Sequence, residues 1–221
     1  MELITKPLII KTLSPFRLGV IQSSVQCIPS SIELISAIEK EVTQIKMKYP
    51  LDRVSKIESI HEVREAYRKL GNDPNRYRPA ADSLIRRIVK GMQLYYINNV
   101  VDSLNLISIQ SGFSIGGYDS SAITGNIELG IGRKNELYRG IGRGELNITN
   151  LPVLRDKNGA FGTPTSDSER TMIIDKTNRI IFIFYDFGWN SLLEKYLWKC
   201  TEYLSRFCFA QETSVHILEY P

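Results

Sequence analysis

Little in this chain suits it to metal, redox or thiol chemistry. Its 221 residues include only three cysteines (Cys27, Cys200, Cys208) and two histidines (His61, His216). Their spacing fits no metal-ligand pattern, and an odd cysteine count forms no closed disulfide framework. A thiol without a base beside it is also a weak nucleophile. The sequence therefore predicts no metal and no cofactor. Long apolar runs are missing too: none approaches the roughly 18 residues that a membrane-spanning helix requires. The start, Met1-Glu2-Leu3-Ile4-Thr5-Lys6-Pro7, lacks the basic-then-apolar order of a signal peptide. The expectation is a cytoplasmic protein with no membrane partner. Compositional bias is absent as well: 43% of residues are hydrophobic and 24% charged, which excludes disordered and repetitive classes.

Net charge is only +4, but its location is informative. Between His61 and Lys90 the bases Arg64, Arg68, Lys69, Arg76, Arg78, Arg86, Arg87 and Lys90 face Glu62, Glu65, Asp73 and Asp82, and the remainder of the chain sums to zero. Local patterns around this segment predict an alternation of strands and helices. Leu8-Ile9-Ile10 and Arg17-Leu18-Gly19-Val20-Ile21 read as short strands. Ser30 or Ser31 caps a helix with apolar positions Ile32, Ile35, Ile38, Val42 and Ile45, ended by Pro50. A second helical stretch runs from about Leu51 to Leu70, and a third from Arg78-Pro79 to Gly91, its buried face formed by Ala81, Leu84, Ile85 and Ile88. Its basic last turn either complements the helix dipole or serves a ligand. Arg179 to Tyr185 reads as a buried strand, Leu192 to Phe207 as a core helix, and Ser214 to Leu218 as a closing strand.

The apolar stretch Asn98 to Ile109 carries Asp102, Asn105 and Ser108 at three-residue intervals, one polar stripe on a helix. Because an unsatisfied buried polar group costs about 1–3 kcal/mol, the stripe must line a pocket or join an internal hydrogen-bond network. After it, Gly116-Gly117 allow close backbone approach, followed by Tyr118-Asp119. Gly125 to Asp156 reads as hairpins. Gly140-Ile141-Gly142-Arg143-Gly144 superficially suggests a phosphate loop, but it has neither the Gly-Lys-Ser/Thr element nor a strand-loop-helix context. Thr163 to Thr171 is a hydroxyl-rich loop.

Several of these pieces, in this order, resemble a known family. Tyr67-Arg68-Lys69-Leu70-Gly71, Tyr77-Arg78-Pro79 with Arg86-Arg87, Ile97-Asn98, Val101-Asp102, Asn105, Ser108 and Gly116-Gly117-Tyr118-Asp119 are similar to the B3/B4 domain of the phenylalanyl-tRNA synthetase beta subunit. Asp167-Ser168-Glu169-Arg170-Thr171 and Thr177-Asn178 look like its later motifs, so the likeness spans roughly residues 60 to 190. Two positions depart from the family pattern. Bacterial synthetases read Pro-Leu-His-Ala-Phe-Asp where this chain has Ser114-Ile115-Gly116-Gly117-Tyr118-Asp119, and their later glutamate falls on Ile183.

The resemblance implies a mixed α/β fold, a β-sandwich-like core of unusual topology covered by helices. The whole chain, residues 1–221, is expected to form a single unit. Its helical N-terminal part spans about 30–71, the motif-bearing core about 60–190, and a C-terminal helix and strand 191–219. It also implies a pocket for the aminoacyl end of tRNA and hydrolysis of a mischarged ester in trans. An activated ester needs placed water and oxyanion donors more than a protein nucleophile. On that basis the Gly116 and Gly117 N–H groups are expected at the ester carbonyl, Asn105 at the water or terminal ribose, and Asp119 at the substrate ammonium. Asp102, Ser108, Ser166, Asp167 and Arg170 are expected to contact substrate. Arg68, Arg78, Arg86, Arg87 and Lys90 are expected to hold tRNA phosphates. Two other readings stay open: an RNA-binding module without catalysis, and a pocket for a free amino acid or small metabolite.

Overall fold

The structure, a computed structural model, describes residues 2–221. In chain order its elements are β1 (Leu3–Thr5), α1 (Pro7–Leu13), β2 (Phe16–Ser24), α2 (Ile32–Lys48), α3 (Glu58–Lys69), α4 (Ala80–Val89) and α5 (Asn99–Ser111). There follow β3 (Ser114–Asp119), β4 (Ile127–Ile131), β5 (Arg139–Gly140), β6 (Gly144–Glu145), β7 (Pro152–Asp156), β8 (Gly159–Gly162), β9 (Arg179–Asp186), α6 (Leu193–Cys208) and β10 (Gln211–Tyr220). Single 3-10 turns lie at Val54–Lys56, Ser120–Ala122 and Glu169–Thr171.

Two four-stranded sheets carry the fold, with strand orders β1-β4-β7-β8 and β10-β2-β9-β3. The alternation of side chains along β9 explains how the layers meet. Ile181, Ile183 and Tyr185 enter a core with Leu129, Val153 and Phe161 of the first sheet. Ile180, Phe182 and Phe184 enter a second core with residues of α2, α4, α5 and α6. A strand covered on both faces reads as a continuous apolar run, as Ile180-Ile181-Phe182-Ile183-Phe184-Tyr185 does. The architecture is therefore a sheet, a sheet and a helical layer, the helix-covered mixed α/β sandwich expected.

Capping and turn chemistry fix the helix ends. The Ser31 hydroxyl accepts the Leu34 N–H at the start of α2, and the Asn98 side chain accepts the Val101 N–H at the start of α5. At the end of α5, Gly112 takes φ +76°, and its position would bring a Cβ to 2.7 Å from Ile57. One expectation fails here. Leu8-Ile9-Ile10 is helical, part of α1, because Pro7 stands at its first turn and the following residues bury only Ile9 and Leu13.

Candidate functional site

Between α4, α5, the edge strand β3 and the 163–168 loop lies a cavity of about 440 Å³. Asn105, Gly117, Ser166 and Asp167 all line it, together with the aliphatic side chains of Leu104 and Ile115. Such volume suits a small ligand, and an apolar wall with few polar groups is the usual composition of a binding site. The loop that supplies Ser166 and Asp167 is held by its own hydroxyls. Thr163 Oγ1 accepts the N–H groups of Thr165 and Ser166, Thr165 meets the buried Tyr67 hydroxyl at 2.8 Å, and Tyr138 donates to the Ser166 carbonyl at 2.6 Å. The Ala80 N–H donates to the Pro164 carbonyl, tying the start of α4 to the same loop.

The paired glycines have different tasks. A Cβ at Gly116 would stand 1.9 Å from the Tyr118 hydroxyl, and one at Gly162 2.2 Å from it, so the Tyr118 ring lies against two bare backbones. A Cβ at Gly117 would meet Leu104 of α5 at 2.5 Å, so this glycine lets α5 approach the sheet beside the cavity. The Gly117 N–H donates to Asp167 Oδ2 at 3.1 Å. Since β3 is an edge strand and successive N–H groups point to opposite sides, the Gly116 N–H faces β9. The two N–H groups, both expected at the ester carbonyl, point to opposite sides of β3. One serves the sheet and the other holds a carboxylate.

Asp167 is the most perturbed acid of the cavity. Burial pushes its carboxyl up to about 7, against the opposing effect of hydrogen bonds from Tyr118 and the Gly117 N–H. Its Oδ1 is enclosed without a hydrogen-bond partner among the described residues. A carboxylate titrating near neutrality, beside a half-buried Asn105 amide, provides a proton acceptor and a neutral dipole in one chamber.

Other expected site residues are engaged elsewhere. Asp102 accepts the Ile97 N–H and the Ser30 hydroxyl, and Ser108 donates to the Phe113 carbonyl, so the polar stripe of α5 divides into two structural groups and one cavity group. Asp119, expected at the substrate ammonium, accepts from the Ser121 N–H and the Thr177 hydroxyl, capping a turn. Arg170 is paired with both oxygens of Asp156 and donates to the Ala122 and Gly159 carbonyls, a clamp between loops and β-strands.

The basic segment is also partly structural. Asp82, fully buried, takes Arg64 at 2.9 Å and also Arg86, and Arg86 donates to the Leu51 carbonyl. Arg68 pairs with Glu65. Arg87 donates to the Gln93 carbonyl and lies over the Tyr95 ring. Arg78 and Lys90 are exposed and form no ion pair among the described residues. The sequence reading missed Arg143, which lines the cavity from the β5–β6 hairpin. That hairpin is joined to the site by the Ile141 N–H, which donates to the Asp167 carbonyl. The only cue was an arginine among glycines, which spacing alone does not distinguish from a solvated turn. Tyr95 also lines the cavity.

Among the described residues no group of three or more His, Cys, Asp and Glu is placed to hold a metal, and no helix is long and apolar enough to cross a membrane. The cysteines are not activated: burial raises Cys27 to about 11 and Cys208 to about 12, and pushes Cys200 up as well.

The family model described as B3/4 domain matches residues 62–191. Among solved structures, an N-terminal fragment of the phenylalanyl-tRNA synthetase beta subunit from Pyrococcus horikoshii is similar over 100% of this chain, at 12% identity and a TM-score of 0.45. The chain spans 54% of that fragment. No curated protein matches the sequence.

Proposed function

This chain belongs to the B3/4 domain family, and from that premise we propose that it hydrolyses the ester of a mischarged aminoacyl-tRNA in trans. The motif resemblance supplies the substrate class. The observation that carries the chemistry is geometric: the half-buried Asp167, its Oδ1 enclosed and without a hydrogen-bond partner among the described residues, lines the same cavity as the Asn105 amide, and burial pushes its carboxyl up to about 7.

In this reading the aminoacyl group enters the cavity along Leu104 and Ile115. A water lies between Asp167 and the ester carbon. Asp167 takes one proton as the water oxygen bonds to that carbon, and the Asn105 amide N–H groups donate to the developing oxyanion. The carbon–oxygen bond to the ribose then breaks, and the proton held by Asp167 passes to the departing ribose oxygen. The products are the free amino acid and uncharged tRNA. Asp167 returns to its starting state, and no cofactor enters the balance.

The test is deacylation over a panel of mischarged tRNAs by the wild type and by Asp167→Asn and Asn105→Ala. Loss of the base is expected to cost about 10²–10⁴-fold in rate, and loss of the oxyanion donor about 10²–10³-fold. The wild-type rate above the uncatalysed background is expected to rise with pH around a midpoint near 7, as the Asp167 carboxyl ionises. Wild-type protein that binds tRNA without turnover would instead support an RNA-binding module. An Asp167→Asn enzyme with undiminished turnover would remove Asp167 from the mechanism.

A further inference from the structure

The cavity has a built rim that the hydrolytic chemistry does not use. Residues 91–98 link α4 to α5 and bring Tyr95 and Ile97 to the cavity wall, and this strap is fixed at both ends. Arg87 donates to the Gln93 carbonyl at one end, and the Ile97 N–H donates to Asp102 at the other. Between these anchors stands Tyr95, lining the cavity and 70% exposed. One face of its ring rests on Arg87, whose guanidinium carbon lies 4.3 Å from the ring centroid. Ile97 and Ile141 beside the mouth are exposed as well, 59% and 44%, and Arg143 adds a positive charge at the hairpin lip.

An exposed aromatic ring on a fixed backbone loses little conformational freedom when a flat partner settles on it. The buried Asp102, expected at the sequence level to contact substrate, thereby acquires another role as an anchor of this strap. Planarity, apolar surroundings and a nearby cation together match a nucleobase joined to a phosphate, because aromatic faces stack bases and arginine meets the backbone. An acidic or aliphatic ligand would use one of these features and leave the others idle.

We propose that Tyr95, supported from beneath by Arg87, is the stacking platform for the terminal base of a single-stranded RNA end, with Arg143 meeting its phosphate. This rests on the deacylase reading for the identity of the RNA and adds to it a base-binding subsite outside the reacting centre. Tyr95 is a binding residue in this assignment and Arg87 a positioning residue.

The experiment is fluorescence anisotropy with an uncharged, labelled RNA tetramer ending in cytidine-cytidine-adenosine, using wild type, Tyr95→Ala, Tyr95→Phe and Arg87→Gln. Removing the ring is expected to weaken binding roughly 5- to 150-fold, the range that corresponds to one base–aromatic stack. Tyr95→Phe keeps the ring and is expected to bind like wild type, while Arg87→Gln lowers affinity by less than Tyr95→Ala. Replacing the terminal adenosine by an abasic residue is expected to weaken wild-type binding by the same factor as Tyr95→Ala and to leave that variant unchanged. The proposal is overturned if the wild type does not bind the tetramer or Tyr95→Ala binds it equally well. It fails equally if Tyr95→Phe loses as much as Tyr95→Ala, or if the abasic loss persists without the ring. Because the probe carries no ester, Tyr95-dependent binding without deacylation would sink the catalytic reading alone. Deacylation with Tyr95-independent binding would sink the stacking platform alone.

Discussion

Asp167 ties the proposed chemistry to the stability of the fold. Its carboxyl is raised by burial to about 7 in the folded chain, against an ordinary value of about 3.9. The folded state therefore holds the proton more tightly, and this group's contribution to folding is complete below about pH 4 and is lost as pH rises through about 7. Asp167→Asn stays neutral and can still accept the Gly117 N–H. It is expected to unfold at a higher temperature than wild type at about pH 8, with the difference vanishing towards pH 4; calorimetric melts across that range check this. A variant that is less stable than wild type at pH 8 would contradict the assigned burial. Gly116 offers a second test. Gly116→Ala drives a methyl into the Tyr118 hydroxyl and is expected to destabilise by about 1–3 kcal/mol, and Tyr118→Phe added to it is expected to recover part of that loss in denaturant titrations. Additive losses in the double variant would mean that the two residues do not collide. Sequence spacing placed Asn105 on a polar stripe. It could not separate Asn105 from Asp102 and Ser108, because their partners, Ser30 and Phe113, come from outside the helical repeat.

Helices α3 and α4 are joined by a charge cluster that the sequence presents only as a basic segment. Asp82 has no exposed surface and receives both Arg64 and Arg86. Removing one partner of a buried pair strands the other, so Arg64→Ala is expected to cost about 3–5 kcal/mol, measured by urea unfolding. Arg86, half-buried at the helix flank and still leaving Asp82 with Arg64, is expected to cost less. Equal and negligible losses would show that the cluster is solvated. Elements whose signals are local were legible in the sequence: α2 from its serine cap and apolar period, α4 from Pro79 and Gly91, β9 from its apolar run. Helix α1 was not, since seven residues containing Leu8-Ile9-Ile10 carry too few turns to show a period, and only packing of Ile9 and Leu13 decides their state.

Across the whole molecule, the expected tRNA-binding cations that remain unpaired among the described residues are fewer than the sequence suggests. Arg86 is committed to Asp82, and Arg170 to Asp156. Arg78, Lys90 and Arg143 are exposed. If the proposed function holds, neutralising each of these three reduces the slope of log affinity for tRNA against log salt by about 1, with similar losses for every tRNA. Arg170→Gln is expected to leave that slope unchanged while lowering the melting temperature. A salt slope that falls with Arg170 and not with the other three would reverse this division of the basic residues.

By itself the sequence determined the type and order of most elements, and its ordered motifs carried the family resemblance that implies the helix-covered sandwich. Those properties depend on caps, hydrophobic period and ordered motifs, all of which are local along the chain. Tertiary structure alone decided which polar groups face the cavity, because that choice depends on partners distant in sequence. Asp167 meets Gly117 across the site, Arg170 is drawn away by Asp156, and Arg143 arrives on a hairpin held by the Asp167 backbone. Hydrogen-bond competition of this kind has no signature in spacing, since each donor settles with the nearest acceptor that folding supplies.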